Sequence, residues 1–182
     1  PHKQQEFVLA TAWHFVDEGQ RVIIYCAQKR SVEPLASCAL NLERLQLLPT
    51  LLRVPVEELE EAETIGREWL GADHPAVRCL RIGVAVHHGK LPRPFLRAVE
   101  RLLKENVLSV TISSPTLAQG LNLSAGTLLV PWLTKTRKTP ISSDEFANVV
   151  GRAGRAYVDI DGQIFHVLFN WNQNKLKIWR NL

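Results

Sequence analysis

The sequence predicts an α/β domain in which a parallel sheet is sandwiched between helices in three layers. Three observations carry this. Short apolar runs of strand length alternate with helical segments, an order that builds parallel strands joined by right-handed crossovers. The runs are apolar throughout, VIIYC at 22–26 being the clearest, so the strands they form are covered on both faces. Residues 106–134 carry no charge over 29 positions. A membrane span of about twenty mostly apolar residues does not fit that run, because Asn106, Gln119, Asn122, Pro115 and Pro131 interrupt it. Buried strands do.

Taken in order, a helix over 5–17 precedes Glu18-Gly19-Gln20 and leads into the strand at 22–26. A second helix starts near Ser31. Residues 41–82 are helical in pattern but broken at Pro49, Pro55, Gly71 and Pro75, and read as an insertion of several short helices. A strand at 83–86 follows, then a helix over 92–105. Leu96, Val99 and Leu103 form the expected buried stripe of that helix, with Arg93, Arg97 and Arg101 on another face. Strands at 108–112, 127–130 and 163–168 enclose a short helical segment near 116–119 and a helix over 143–150.

The 182 residues suit one domain. With 46% apolar and 22% charged residues, disordered, collagenous and coiled-coil classes fall away. Methionine is absent throughout, which suggests a piece excised from a longer protein. Cys26, Cys38 and Cys79 lack metal-ligand spacing with one another or with the six histidines, and read as free thiols of a reducing compartment. No signal-peptide pattern opens the chain, so the expected setting is intracellular and cytoplasmic, without a membrane partner. The net charge of +4 hides an asymmetry. Residues 1–70 hold 7 basic against 11 acidic side chains, and residues 71–182 hold 15 against 7. Glu57, Glu58, Glu60, Glu61 and Glu63 read as a solvated helix face, whereas the basic second half suits phosphate-bearing ligands.

The segment ISSDEFANVVGRAGRA, 141–156, is the most informative. Ser142 and Glu145 have capping-box spacing, and Phe146, Val149 and Val150 form an apolar stripe, so a helix starts here. It runs into Gly151-Arg152-Ala153-Gly154-Arg155. Two arginines three positions apart share a helical face, and glycines leave room for a large ligand against the backbone. Guanidinium groups fork onto phosphate oxygens. A helix end with glycine caps and two surface arginines would look the same.

The order of segments resembles the second RecA-like domain of superfamily-two helicases, in the DExH branch of the Ski-type RNA helicases and archaeal repair helicases. VIIYCAQKRSVE at 22–33 looks like motif IV, and Val86-His87-His88-Gly89, followed by Arg97 and Glu100, like the paired-histidine motif. TISSPTLAQGLNLSA at 111–125 is similar to motif V, and residues 148–155 are similar to motif VI. The resemblance implies a RecA-like, P-loop-NTPase-type fold. It implies that Arg152 and Arg155 reach the ATP γ-phosphate as arginine fingers, with Asn148 beside them. Such a finger accelerates phosphoryl transfer roughly 10³- to 10⁵-fold. Gly120, Asn122 and Gly151 fall at nucleotide contacts. Gln28, His88, Gly89, Ser114, Thr116 and Arg97 fall along the path of DNA or RNA, expected to be single-stranded and held by its phosphates. The bland reading of His87 is a hydrogen-bonded, partly buried histidine, and of Arg101 a surface residue paired with acids.

No G-x-x-x-x-G-K-[ST] and no DExH tetrad occurs in the chain. The resemblance places both in a first RecA-like domain of the same polypeptide, which would bind ATP and Mg²⁺. This chain alone is then expected to hold no cofactor or metal and to hydrolyse no ATP. An alternative stays open, a RecA-like module that binds nucleic acid or docks a protein without catalysis. It is motivated by Asn148, where the family usually has Gln, and by Ser114-Pro115 in place of Thr-Ser. A Rossmann-type cofactor enzyme would need G-x-G-x-x-G after the first strand, where Cys26-Ala27-Gln28-Lys29 stands.

Overall fold

Val22–Tyr25 forms strand β1, buried along its whole length. The computed structural model describes residues 3–114, 126–135, 139–153, 163–170 and 172–182, with the backbone alone at 151–153. Around β1 stand β2 (Val84–His87), β3 (Val110–Ser113), β4 (Thr127–Leu129) and β5 (Gln163–Phe165), in the order β2-β3-β1-β4-β5. Every pairing is parallel, with Val22 opposite Val110 on one side and Thr127 on the other. The uncharged run thus supplies both neighbours of the central strand. The last strand is shorter than predicted, since residues 166–168 leave the ladder.

Helix α1 (Gln4–Asp17) buries Val8, Leu9, Ala12, Trp13 and Val16, a stripe at helical spacing. The Trp13 Nε1–H donates to the Pro49 carbonyl at 2.8 Å and ties the start of the insertion to this helix. Helix α2 (Val32–Arg44) follows a 3-10 turn and buries Val32, Leu35, Ala36, Ala39 and Leu42. The crossover from β1 to β2 and the return from β2 to β3 run in opposite directions across the sheet. Right-handed connections therefore place α2 and α5 (Arg93–Lys104) on opposite faces, giving three layers.

The insertion contains α3 (Glu60–Leu70) and α4 (Pro75–Leu80). A Cβ on Gly66 of α3 would lie 2.7 Å from Val77 and 2.8 Å from the Phe95 ring, so α3 sits tight against both α4 and α5. This packing corrects the buried stripe of α5. Phe95, Ala98, Val99, Leu102 and Leu103 are buried, whereas Leu96 is only half-buried, because α3 packs on the Phe95 side and shifts the covered arc away from Leu96. It also separates Glu63 from the solvated acids around it. Glu63 is 6% exposed. Its carboxylate accepts from Arg81 Nε at 2.6 Å and Nη2 at 2.8 Å, and from Arg67 Nη2 at 2.6 Å. The Arg81 fork lowers the Glu63 pKa, against the opposing effect of burial.

Helix α6 (Ser143–Ala153) and a last helix, α7 (Gln173–Arg180), complete the chain. The sequence pattern did not disclose α7. Its start is fixed by Asn172, whose side-chain oxygen accepts from the Lys175 N–H at 3.2 Å. Trp179 then meets Phe146 of α6 edge-on and stacks on His166. Among the described residues, no helix is long and apolar enough to cross a membrane.

Gly83, at φ +77°, carries the chain from α4 into β2, and a Cβ there would lie 2.7 Å from the backbone of Leu51 and Leu52. Gly19 has φ +82° but nothing within 4 Å of the same position. Gly83→Ala is expected to lower the unfolding free energy by about 3 kcal/mol, left-handed strain plus overpacking. Gly19→Ala should cost only about 1 kcal/mol. Denaturant midpoints of the two variants check the difference.

Candidate functional site

Parallel strands deliver their carboxyl ends to one rim, the place where open α/β sheets bind ligands. β1 runs out through Cys26, Ala27 and Gln28, β2 through His88 and Gly89, and β3 through Ser114. The Cys26 N–H donates to the Ser113 carbonyl at 2.7 Å and the Ser114 N–H to the His87 carbonyl at 3.1 Å, so the three ends are hydrogen-bonded together. Four residues that the sequence singled out, Gln28, His88, Gly89 and Ser114, therefore stand on one edge. They differ in access. His88 is 2% exposed and Ser114 1%. Gly89 is exposed and Gln28 half-buried.

The two histidines are held differently. His87 Nε2 lies 3.0 Å from Glu100 of α5, in line with the bland reading of that residue, and its Nδ1 has no hydrogen-bond partner among the described residues. His88 Nδ1 accepts from the Lys90 N–H at 3.3 Å, and the Leu91 N–H donates to the His88 carbonyl at 3.0 Å. These bonds close a turn around Gly89 and leave the imidazole proton on Nε2. That nitrogen lies 3.1 Å from a Glu33 carboxylate oxygen, although off the hydrogen-bond axis. The same oxygen stands 3.9 Å from Nε2 of His74. Sequence reasoning missed both partners. Glu33 closes the motif IV segment, and His74 precedes Pro75 as the cap of α4, accepting from the Ala76 N–H at 3.2 Å.

Around β1, the Gln28 side chain donates to the Thr134 carbonyl at 3.2 Å and accepts from Arg30 Nε at 2.7 Å. Thr134 faces Pro140 in an antiparallel bridge, flanked by the Lys135 N–H donating to the Thr139 carbonyl at 2.8 Å and the Ile141 N–H to the Leu133 carbonyl at 2.9 Å. The capping box of α6 is formed. The Glu145 N–H donates to Ser142 Oγ at 3.3 Å, and the Ser142 N–H to the Glu145 carboxylate at 3.1 Å. Lys135 Nζ reaches that carboxylate at 2.8 Å and is the main cause of its lowered pKa. From this anchor, α6 carries exposed Asn148 and, one turn further on, Arg152 with Gly151 before it. Thr116, Gly120, Asn122 and Arg155, with the predicted helical segment at 116–119, lie outside the described residues.

On α5, Arg97 is exposed and has no ion-pair partner among the described residues. Arg101 pairs with Glu61 of α3 and approaches Glu105 at 3.7 Å, a surface pairing. Burial pushes the Cys26 and Cys79 thiols up to about 12, far from nucleophilic use. No cluster of metal-ligating side chains occurs among the described residues.

Fold and rim together define a three-layer α/β domain of RecA-like type whose candidate ligand edge is the carboxyl end of a five-stranded parallel sheet. No family model matches the chain. Along its whole length it is 26% identical to the Hachiman protein HamB of Bacillus cereus, of which it covers 16%. Over 87% of the chain it is 28% identical to the ATP-dependent DNA helicase Hel308 of Methanocella arvoryzae, covering 22% of that protein. Over 78% it is 30% identical to the ATP-dependent RNA helicase mtr4 of Schizosaccharomyces pombe, covering 13%. These similarities support a helicase-related domain. The chain spans less than a quarter of each of the three relatives.

Burial is the main cause holding His87, His88 and His166 below the ordinary histidine pKa. The unfolded chain then takes up more protons than the folded one as the pH falls. Their contribution to stability is complete above about pH 6.5 and is lost as the pH drops through and below it. The denaturant midpoint is therefore expected to fall between pH 7.5 and pH 5.5. His87→Gln, which keeps a donor for Glu100, should shrink that fall.

Proposed function

We propose that the chain is the second motor domain of an ATP-dependent nucleic-acid helicase or translocase. In this reading Arg152 and Arg155 act as arginine fingers on ATP and Mg²⁺ held by a first RecA-like domain, with Asn148, Gly151, Gly120 and Asn122 on the nucleotide side. The observation that carries it is the shared rim. Gln28, His88, Gly89 and Ser114 end three hydrogen-bonded strands, while a capped helix anchored beside them leads to Arg152. Single-stranded DNA or RNA would lie along that rim, held through Gly89, Ser114, Thr116 and Arg97 by its phosphates.

Bound ATP with Mg²⁺ supplies the phosphoryl group that is transferred to water. The chain's own residues supply charge for the transition state and a grip on the strand. The absence of any G-x-x-x-x-G-K-[ST] from the sequence fits this division of labour. Closure of the two domains on ATP and reopening after hydrolysis would move the strand. An intracellular setting belongs to the same proposal. Asn148, with its shorter side chain, favours a second reading as a non-catalytic binding or docking module, which predicts no strand-stimulated hydrolysis.

In the full-length protein, Arg152→Ala and Arg155→Ala are each expected to lower strand-stimulated ATP turnover roughly 10³-fold. Strand affinity without nucleotide should stay within a few-fold. Unchanged turnover sinks the assignment of fingers. Arg97→Ala should weaken binding of all sequences alike and reduce the slope of log affinity against log salt by about 1, measured by titration at several salt concentrations.

A further inference from the structure

Glu33 stands where three elements meet at the rim. It lies in the first turn of α2, close to the N-terminus of α4 through His74 and to the end of β2 through His88. Both histidines give Nδ1 to a backbone N–H, of Ala76 and of Lys90, so both present a protonated Nε2 to the same carboxylate oxygen. His88 is buried, whereas the Glu33 side chain is half exposed. The acid is thus solvated at one end and spans to a buried imidazole at the other. On the far side of that imidazole, the turn through Gly89 and Lys90 is exposed.

The geometry points to Glu33 as the positioning residue of the strand-gripping turn: its carboxylate fixes the His88 imidazole, and through it the Gly89–Lys90 backbone that meets the nucleic-acid phosphates. This rests on the rim being the nucleic-acid path. Glu33 touches no nucleic acid itself. A negative charge facing a phosphate track would repel it, and the buried imidazole between Glu33 and Gly89 lets the acid position the turn from behind. The off-axis approach to His88 matters here, since the imidazole is tied to Lys90 more directly than to Glu33 and the carboxylate sets its orientation electrostatically.

The test uses the full-length protein with oligo(dT) and oligo(U) as probes, and reads two quantities. Hydrogen exchange of the Lys90 and Leu91 amides should accelerate in Glu33→Ala, while exchange across α5 is unchanged. The strand concentration giving half-maximal ATPase stimulation should rise roughly tenfold in Glu33→Ala, with turnover at saturating strand within about twofold, the loss expected for one charge-assisted contact. Glu33→Gln keeps an acceptor oxygen and should fall between Glu33→Ala and the parent. It also serves as the measured variant if Glu33→Ala does not fold. Unchanged amide exchange, or an unchanged half-maximal concentration in a parent protein that is strand-stimulated, overturns the role of Glu33. Accelerated exchange with a parent that no strand stimulates overturns the motor reading and the grip with it.

Discussion

The structure depends on one constraint, that β1 is buried on both faces and hydrogen-bonded in parallel on both edges. Val22 faces Val110 on one side and Thr127 on the other, and all four residues of the strand are buried. A strand in that position tolerates no charge and needs helices above and below it. Both requirements appear in the chain: the neighbours come from a 29-residue uncharged stretch, and α2 and α5 sit on opposite faces. Because every strand runs the same way, the groups that follow them must share one rim, whatever their distance in sequence.

That rim is where polar chemistry enters an apolar core, and the protein handles it by pairing. His87 finds Glu100, His88 finds the Lys90 amide and the Glu33 carboxylate, and Gln28 finds Thr134. The pairing is incomplete. Among the described residues, His87 Nδ1 and His88 Nε2 find no hydrogen bond of good geometry, and burial lowers the pKa of both rings despite their acidic neighbours. Neutral imidazoles at this edge avoid the cost of a buried cation. The cations remain exposed: Lys90 on the turn, and Arg93 and Arg97 on α5.

What could be read from the sequence divides along physical lines. Strand identities and the α6 capping box were legible, because periodicity and capping are local and each residue's signal lies within a turn or two. Helix α7 was not, since Leu176, Ile178 and Trp179 make a weak pattern, none of them is fully buried, and Trp179 meets its partners Phe146 and His166 only in the folded chain. Glu63 was hidden in a run of glutamates that looks solvated until Arg67 and Arg81 close over it. Glu33 was hidden for the same reason, because nothing near it in sequence announces His88. The site residues that lie on strand ends were found through motif order. Their burial, which separates His88 and Ser114 from exposed Gly89, is a tertiary property that no spacing encodes.

Residues 133–135, paired with 139–141, link the end of β1 to the start of α6. They are bonded at Thr134 to Gln28, which follows β1, and at Lys135 to Glu145, which caps α6. The Lys135–Glu145 contact is an exposed ion pair and contributes little stability by itself. Its geometric effect is larger, because Glu145 is already committed to the Ser142 amide, and a carboxylate held by both partners fixes where α6 begins. A helix rises about 1.5 Å per residue along a straight axis. A fixed origin and direction at Ser143 therefore determine where the backbone of Asn148 and Arg152 stands relative to the end of β1. The end of β1 and the start of the arginine-bearing helix are in this way linked through Thr134 and Lys135, whose polar contacts reach both.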